Sequence, residues 1–116
     1  MTEPGCLFCR IVAGELPATK VHEDDLVLGI RDINPVAPTH ILLLPKSHVA
    51  SVADLTSADA EVLGALFAAA AALARSEDIE ERGYRVVTNV GRDAGQSVDH
   101  LHFHLLGGRP MSWPPG

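Results

Sequence analysis

The sequence predicts an α+β fold in a single domain spanning residues 1–116, and three patterns carry that expectation. His100-Leu101-His102-Phe103-His104-Leu105-Leu106 alternates polar and apolar residues with the period of a β-strand. His40-Ile41-Leu42-Leu43-Leu44 is a short apolar run bounded by prolines, as expected of a strand buried on both faces. Val62, Leu63, Leu66, Phe67, Ala70, Leu73 and Ala74 instead recur at helical spacing. Strands around one long helix, antiparallel where hairpins are evident, satisfy all three.

Taken in order, residues 6–13 form a short N-terminal helix ended by Gly14, with Phe8, Ile11 and Val12 on its apolar side. Residues 20–23 and 26–31 read as strands joined by a turn at Asp24-Asp25. Asn34-Pro35-Val36-Ala37-Pro38 is a loop before the buried strand. Thr56 or Ser57 caps the long helix, which runs to about Ser76. A strand at 84–89, a glycine-containing loop at 91–97 and the histidine strand complete the sheet. In the Pro-rich tail the single tryptophan, Trp113, needs a surface to cover it, on its own subunit or a partner's.

Composition narrows the function classes. A formal charge of -6 argues against nonspecific nucleic-acid or anionic-membrane binding, while leaving room for a small anion held by local donors. The apolar stretch 62–73 is short and alanine-rich, so no membrane span is expected. The first residues lack the basic and apolar regions of a signal peptide, and the expected location is cytoplasmic. Cys6 and Cys9 are too few for a disulfide framework and read as metal ligands or a redox pair.

Half of the six histidines lie in the alternating run. On a regular strand His100, His102 and His104 share one face, roughly 6.5–7 Å apart, while Leu101, Phe103 and Leu105 face the core. Solvated faces usually carry Lys, Glu, Thr or Ser, so a row of near-neutral imidazoles indicates metal, phosphate or proton-transfer chemistry.

The run matches the His-φ-His-φ-His-φ-φ motif of the histidine-triad (HIT) superfamily, φ being apolar. The resemblance extends through Asp32-Ile33-Asn34-Pro35, Ala37-Pro38-Thr39-His40, Pro45-Lys46-Ser47-His48, Gly95-Gln96-Ser97 and the ending Trp113-Pro114-Pro115-Gly116. The whole is similar to the Hint branch, the histidine-triad nucleotide-binding proteins. That resemblance implies a HIT-like fold, a homodimer with one continuous antiparallel sheet, and a purine-nucleotide substrate. The implied activity is hydrolysis of nucleoside 5′-phosphoramidates at the P–N bond through a nucleotidyl-histidine. His102 is then the nucleophile, a role that an imidazole of ordinary pKa fills without a strong base. His104, Gln96 and the backbone N–H groups of residues 95–97 are candidates to stabilise the phosphoryl oxygens. Ser97 matches a serine contacting the leaving group, Asn89 an asparagine near the phosphate, and His40 a fourth histidine beside the triad. Asp32 suits a ribose, since one carboxylate can accept from both vicinal hydroxyls. Phe8, Ile11, Leu16, Ile30, Ile33 and Leu42 match the base-pocket walls.

A structural zinc completed by two nitrogen ligands makes Cys6, Cys9, His48 and His100 the candidate set, a pattern many bacterial HIT proteins resemble. Such an ion ties the N-terminal helix to the histidine strand and is not required for the chemical step. Asp99 stands where a tyrosine is common in the branch, and Val90-Gly91-Arg92-Asp93 changes the loop charge, so substrate preference is less constrained than chemistry. Three other readings share these residues: a dinucleoside polyphosphate hydrolase or nucleotidyl transferase, a nucleotide-binding interaction module with secondary catalysis, and a zinc-dependent hydrolase.

Overall fold

A computed structural model describes residues 2–116. The chain runs α1 (Leu7–Val12), β1 (Lys20–Glu23), β2 (Val27–Arg31), β3 (Thr39–Pro45), two 3₁₀ turns (Val52–Asp54 and Ser57–Asp59), α2 (Ala60–Ser76), β4 (Tyr84–Val87) and β5 (Phe103–Gly107). The strands form one antiparallel sheet in the order β1-β2-β3-β5-β4. This is the expected α+β architecture with one long and one short helix.

Local chemistry accounts for the element ends. The Cys6 sulfur accepts the Cys9 N–H at the start of α1, and Gly14, at φ 80°, closes the other end. Asp24 Oδ1 accepts the N–H groups of Leu26 and Val27, both at 2.8 Å, and so makes the β1–β2 turn. Thr56 and Asp59 form a reciprocal capping box ahead of α2.

The sheet is buried on both faces at its centre. Val27, Ile41, Leu43, Phe103 and Leu105 pack with the α2 stripe of Leu66, Ala69, Ala70, Leu73 and Ala74. Leu28, Ile30, Leu42 and Leu44 pack on the opposite side with Phe8 and Ile11 of α1. All seven residues of β3 are buried, as its unbroken apolar run requires. Glu77, just beyond α2, holds Arg31 of β2 through two hydrogen bonds of 2.6 and 2.8 Å and accepts the Thr39 hydroxyl at 3.3 Å.

Two expectations are corrected. The helical stretch Ser57–Ser76 is 20 residues long with a mean hydropathy of 1.5, sufficient by length and composition to cross a membrane. Its buried stripe nevertheless covers the sheet, which explains the apolarity of that side. The histidine strand also begins later than its alternation implies, because Leu101 N–H donates to Val49 O instead of a neighbouring strand. His100 and His102 therefore precede β5, and only His104 lies within it. The alternation still sorts the apolar residues, since Leu101, Phe103 and Leu105 all enter the α2-side core.

Leu66 is fully buried where α2 meets the sheet. Leu66→Ala is expected to destabilise the protein by about 2–5 kcal/mol, measured by urea unfolding, because the rigid sheet beneath limits collapse of the cavity.

Candidate active site and metal centre

A cavity of about 450 Å³ opens on the sheet face that carries α1. All six apolar residues expected to wall a base pocket line it: Phe8, Ile11, Leu16, Ile30, Ile33 and Leu42. Asp32, Ser97, His102 and His104 line it as well. Ile33 is 91% exposed, so it is a rim residue with an open face rather than part of the core. Residues 32 and 33 reach this rim because the chain turns immediately after β2, where Asp32 Oδ1 accepts the Asn34 N–H at 2.8 Å.

The hydrogen bonds assign the imidazole tautomers. His102 Nδ1–H donates to the backbone oxygen of His100 at 2.8 Å, which leaves Nε2 as the lone-pair nitrogen. Phe8 packs edge-on against this ring, with centroids 5.1 Å apart. His40 Nδ1 accepts the Val36 N–H at 3.1 Å, so its proton resides on Nε2. That proton faces His104 Nδ1 at 2.9 Å and Asp32 Oδ2 at 3.3 Å. With Nδ1 accepting, His104 carries its own proton on Nε2. His40 and His104 meet because β3 and β5 pair Leu42 with His104, placing His40 diagonally across on the same face.

The His104 and His40 rings favour their neutral forms. Burial, reinforced by His102 and His40, pushes the His104 pKa down to about 4. Burial also lowers His40, with Asp32 opposing it. His104 can therefore present a neutral N–H donor near pH 7. Asp32, His40 and His104 could also gather around a cation. The 2.9 Å contact between His40 Nε2 and His104 Nδ1 is a hydrogen bond already occupied by a proton.

At the other end of the run, Cys6, Cys9, His48 and His100 bring two sulfurs and two nitrogens within 4.8 Å of one another. His100 Nε2–H donates to Pro45 O at 2.8 Å, turning its Nδ1 lone pair toward the cluster. That Nδ1 is 3.2 Å from Cys6 Sγ, 3.6 Å from Cys9 Sγ and 3.2 Å from His48 Nδ1, and the Cys9 Sγ–His48 Nδ1 distance is 3.4 Å. A tetrahedral ion with bonds of about 2.0–2.3 Å requires ligand-to-ligand edges of about 3.3–3.8 Å, and these four separations lie close to that range. The backbone N–H groups of Glu3 and Cys9 point at the sulfurs, and burial keeps His100 neutral. The donor set could hold a metal.

Two expected contacts are not brought to the cavity. Gln96 donates to Ala50 O and Val98 O and accepts the Gly91 N–H, so its amide holds the 91–98 loop instead of facing a phosphate. Asn89 lines a neighbouring cavity of about 380 Å³ with Arg85, Arg109, His40 and His104. Trp113 is 80% exposed, with the Arg85 guanidinium 6.0 Å from its ring, so its own subunit does not cover it. A backbone carbonyl behind the His102 ring is expected on chemical grounds, but that it belongs to His100, and that the Val36 N–H sets His40, was not legible, because backbone atoms carry no side-chain signature.

Because folding depresses the His104 pKa, the unfolded chain takes up this proton first as pH falls. The stability associated with the neutral ring is complete above about pH 6.5 and is lost progressively down to about pH 4. Urea unfolding of wild type and His104→Asn across that window should show their stability difference shifting toward the variant as pH falls. A pH-independent difference contradicts the assignment.

The family model for the HIT domain matches residues 13–111. A maize protein named 14 kDa zinc-binding protein is 49% identical over 95% of this chain and 87% of its own length. The purine nucleoside phosphoramidase of Escherichia coli K12 is 45% identical over 90% of this chain and 88% of its own length. The crystal structure of a HIT family hydrolase from Legionella pneumophila superposes with a TM-score of 0.95 at 52% identity, covering 97% of this chain and 100% of that one. Matches that span both histidine clusters and the sheet carrying them establish that this chain belongs to the HIT family.

Proposed function

We propose that this protein is a hydrolase that cleaves nucleoside 5′-phosphoramidates, with His102 as the nucleophile. The observation that carries the reading is the His102 Nδ1–H bond to the His100 carbonyl, which reserves Nε2 for attack in a cavity suited to a nucleotide. The apolar walls suit a flat purine, Asp32 suits the ribose hydroxyls, and His104 Nε2–H suits a phosphoryl oxygen. The name of the E. coli relative supports the same chemistry.

In the first step the His102 Nε2 lone pair attacks the α-phosphorus and the P–N bond to the leaving group breaks. The amine departs after taking up a proton from solvent, relayed through the Ser97 hydroxyl, while His104 Nε2–H stays on the phosphoryl oxygen. Water then attacks phosphorus, the P–N bond to His102 breaks, and the nucleoside monophosphate leaves with a proton released to solvent, which returns the one taken up in the first step.

Cys6, Cys9, His48 and His100 would hold a structural zinc in this reading, which the maize relative's name supports. With four protein ligands the ion has no open position for substrate or water. It contributes folding energy and fixes its ligands, while the phosphorus chemistry remains with the imidazoles.

The cavity containing Asn89, Arg85 and Arg109 favours a second substrate class. Its guanidinium groups would suit the remaining phosphates of a dinucleoside polyphosphate. A panel of adenosine phosphoramidates and dinucleoside polyphosphates decides between them. Phosphoramidate turnover should exceed polyphosphate turnover, and His102→Ala should lower it by about 10³-fold or more while AMP binding persists. Wild-type binding of AMP without turnover of either class would leave an interaction module.

The protein is further proposed to form a homodimer with a sheet continuous across the interface. β4 is an edge strand, and Phe67, Tyr84 and Trp113 are 53%, 39% and 80% exposed. Analytical ultracentrifugation should give twice the chain mass of 12.3 kDa, and Phe67→Glu should shift it toward one chain mass.

A further inference from the structure

We infer that His100 is a positioning residue joining the two centres, so that metal occupancy at Cys6, Cys9, His48 and His100 governs the orientation of the His102 ring. The inference rests on the reading of His102 as the nucleophile and of the cluster as a zinc site. It extends the metal's role from stabilising the chain to organising its chemistry.

The coupling runs through one residue. His100 offers its side-chain Nδ1 to the cluster and its backbone oxygen to His102 Nδ1–H at 2.8 Å. Rotation or displacement of His100 therefore moves the acceptor that assigns the neighbouring tautomer. This bond spans only two residues, and the local backbone is not part of a strand. Its bend must be imposed by tertiary contacts.

Those contacts converge on the metal ligands. Pro45 O holds His100 Nε2 and Val49 O holds Leu101 N–H, and both oxygens belong to the segment containing His48. Phe8, between Cys6 and Cys9, packs edge-on against His100 and His102 with centroid distances of 5.8 and 5.1 Å. α1 has six residues, too few to persist by helix propensity alone. Three segments distant in sequence thus meet where the cation would bind. Without it the three segments are joined at this point only by thiol–imidazole hydrogen bonds of 3.2–3.6 Å, weaker than the metal–ligand bonds they would replace, so the segments separate more readily.

Separation would free Phe8 from the His102 ring and shift the His100 carbonyl. The His102 proton could then occupy either nitrogen, and the population with a free Nε2 would fall. Ile11 would move with α1, weakening the cavity wall as well. A purely structural ion predicts none of these ring changes in protein that remains folded.

The test compares full-length ¹⁵N-labelled protein with zinc bound, after chelation, and after zinc is restored. Zinc-loaded protein should show His102 protonated at Nδ1 alone in ring ¹⁵N spectra. Chelation should give a mixture of tautomers, with the β-sheet signals retained and AMP affinity reduced several-fold. The kcat for an adenosine phosphoramidate should fall about tenfold or more, the scale seen when groups orienting a metal site are lost. Added zinc should reverse each change. His48→Ala should resemble chelated protein even with zinc present, and His48→Cys, which keeps four ligands, should restore the single Nδ1-protonated His102 signal that His48→Ala loses.

A single Nδ1-protonated tautomer in folded, zinc-free protein overturns the inference. Cooperative loss of the whole sheet on chelation also overturns it, because the metal would then act on the fold generally. Absence of turnover in zinc-loaded protein refutes the nucleophile reading separately, and the tautomer comparison still decides the coupling.

Discussion

The hydrogen bond from His102 Nδ1 to the backbone oxygen of His100 is the constraint on which the rest of the site depends. An imidazole has two nitrogens and, when neutral, one proton, so holding that proton at one end assigns the lone pair to the other. The ring thereby presents a directed lone pair without a carboxylate bonded behind it. In the proposed reaction added negative charge would oppose an approaching phosphate. His104 uses the same device with the opposite polarity: the Val36 N–H sets His40, and His40 sets His104 as a donor. Two neighbouring histidines become an acceptor and a donor through backbone groups.

The sheet makes this division possible. Its α2 face is apolar and tightly packed, so β3 and β5 keep a fixed register that brings His40 beside His104. The other face is only partly covered, by the short α1, and the remaining space is the cavity. Burial on that face keeps His104 and His40 neutral, while Asp32 brings one carboxylate to the edge. The net negative charge of the chain thus coexists with a cavity that offers oriented N–H groups, the kind of donor the proposed phosphate substrate requires.

Several features were legible before the fold. The alternation of His100 to Leu105 correctly assigned Leu101, Phe103 and Leu105 to one core, and the apolar run in β3 correctly implied burial on both faces. The two cysteines read from sequence as metal ligands or a redox pair, and His48 and His100 are found beside them. Boundaries were less legible. Period-two patterning continues through residues 100–102 although the backbone there is held by Val49 and by the cluster. Gln96 carried a polar signal near the triad, yet its amide closes a loop, because a donor's chemistry does not reveal its partner.

The sequence by itself determined the fold class, the two sides of the sheet, the set of imidazoles and thiols available, and the membership that their spacing implies. Those are consequences of side-chain type and period, which local order preserves. Tertiary structure alone decided which nitrogen of each histidine is free, which face of Ile33 remains open, and which polar groups turn inward. Tautomers depend on a carbonyl or N–H brought from elsewhere in the chain, and cavities depend on what packing leaves uncovered. The three histidines that look equivalent along the sequence differ because His100 meets the sulfurs, His102 meets a carbonyl and His104 meets another imidazole.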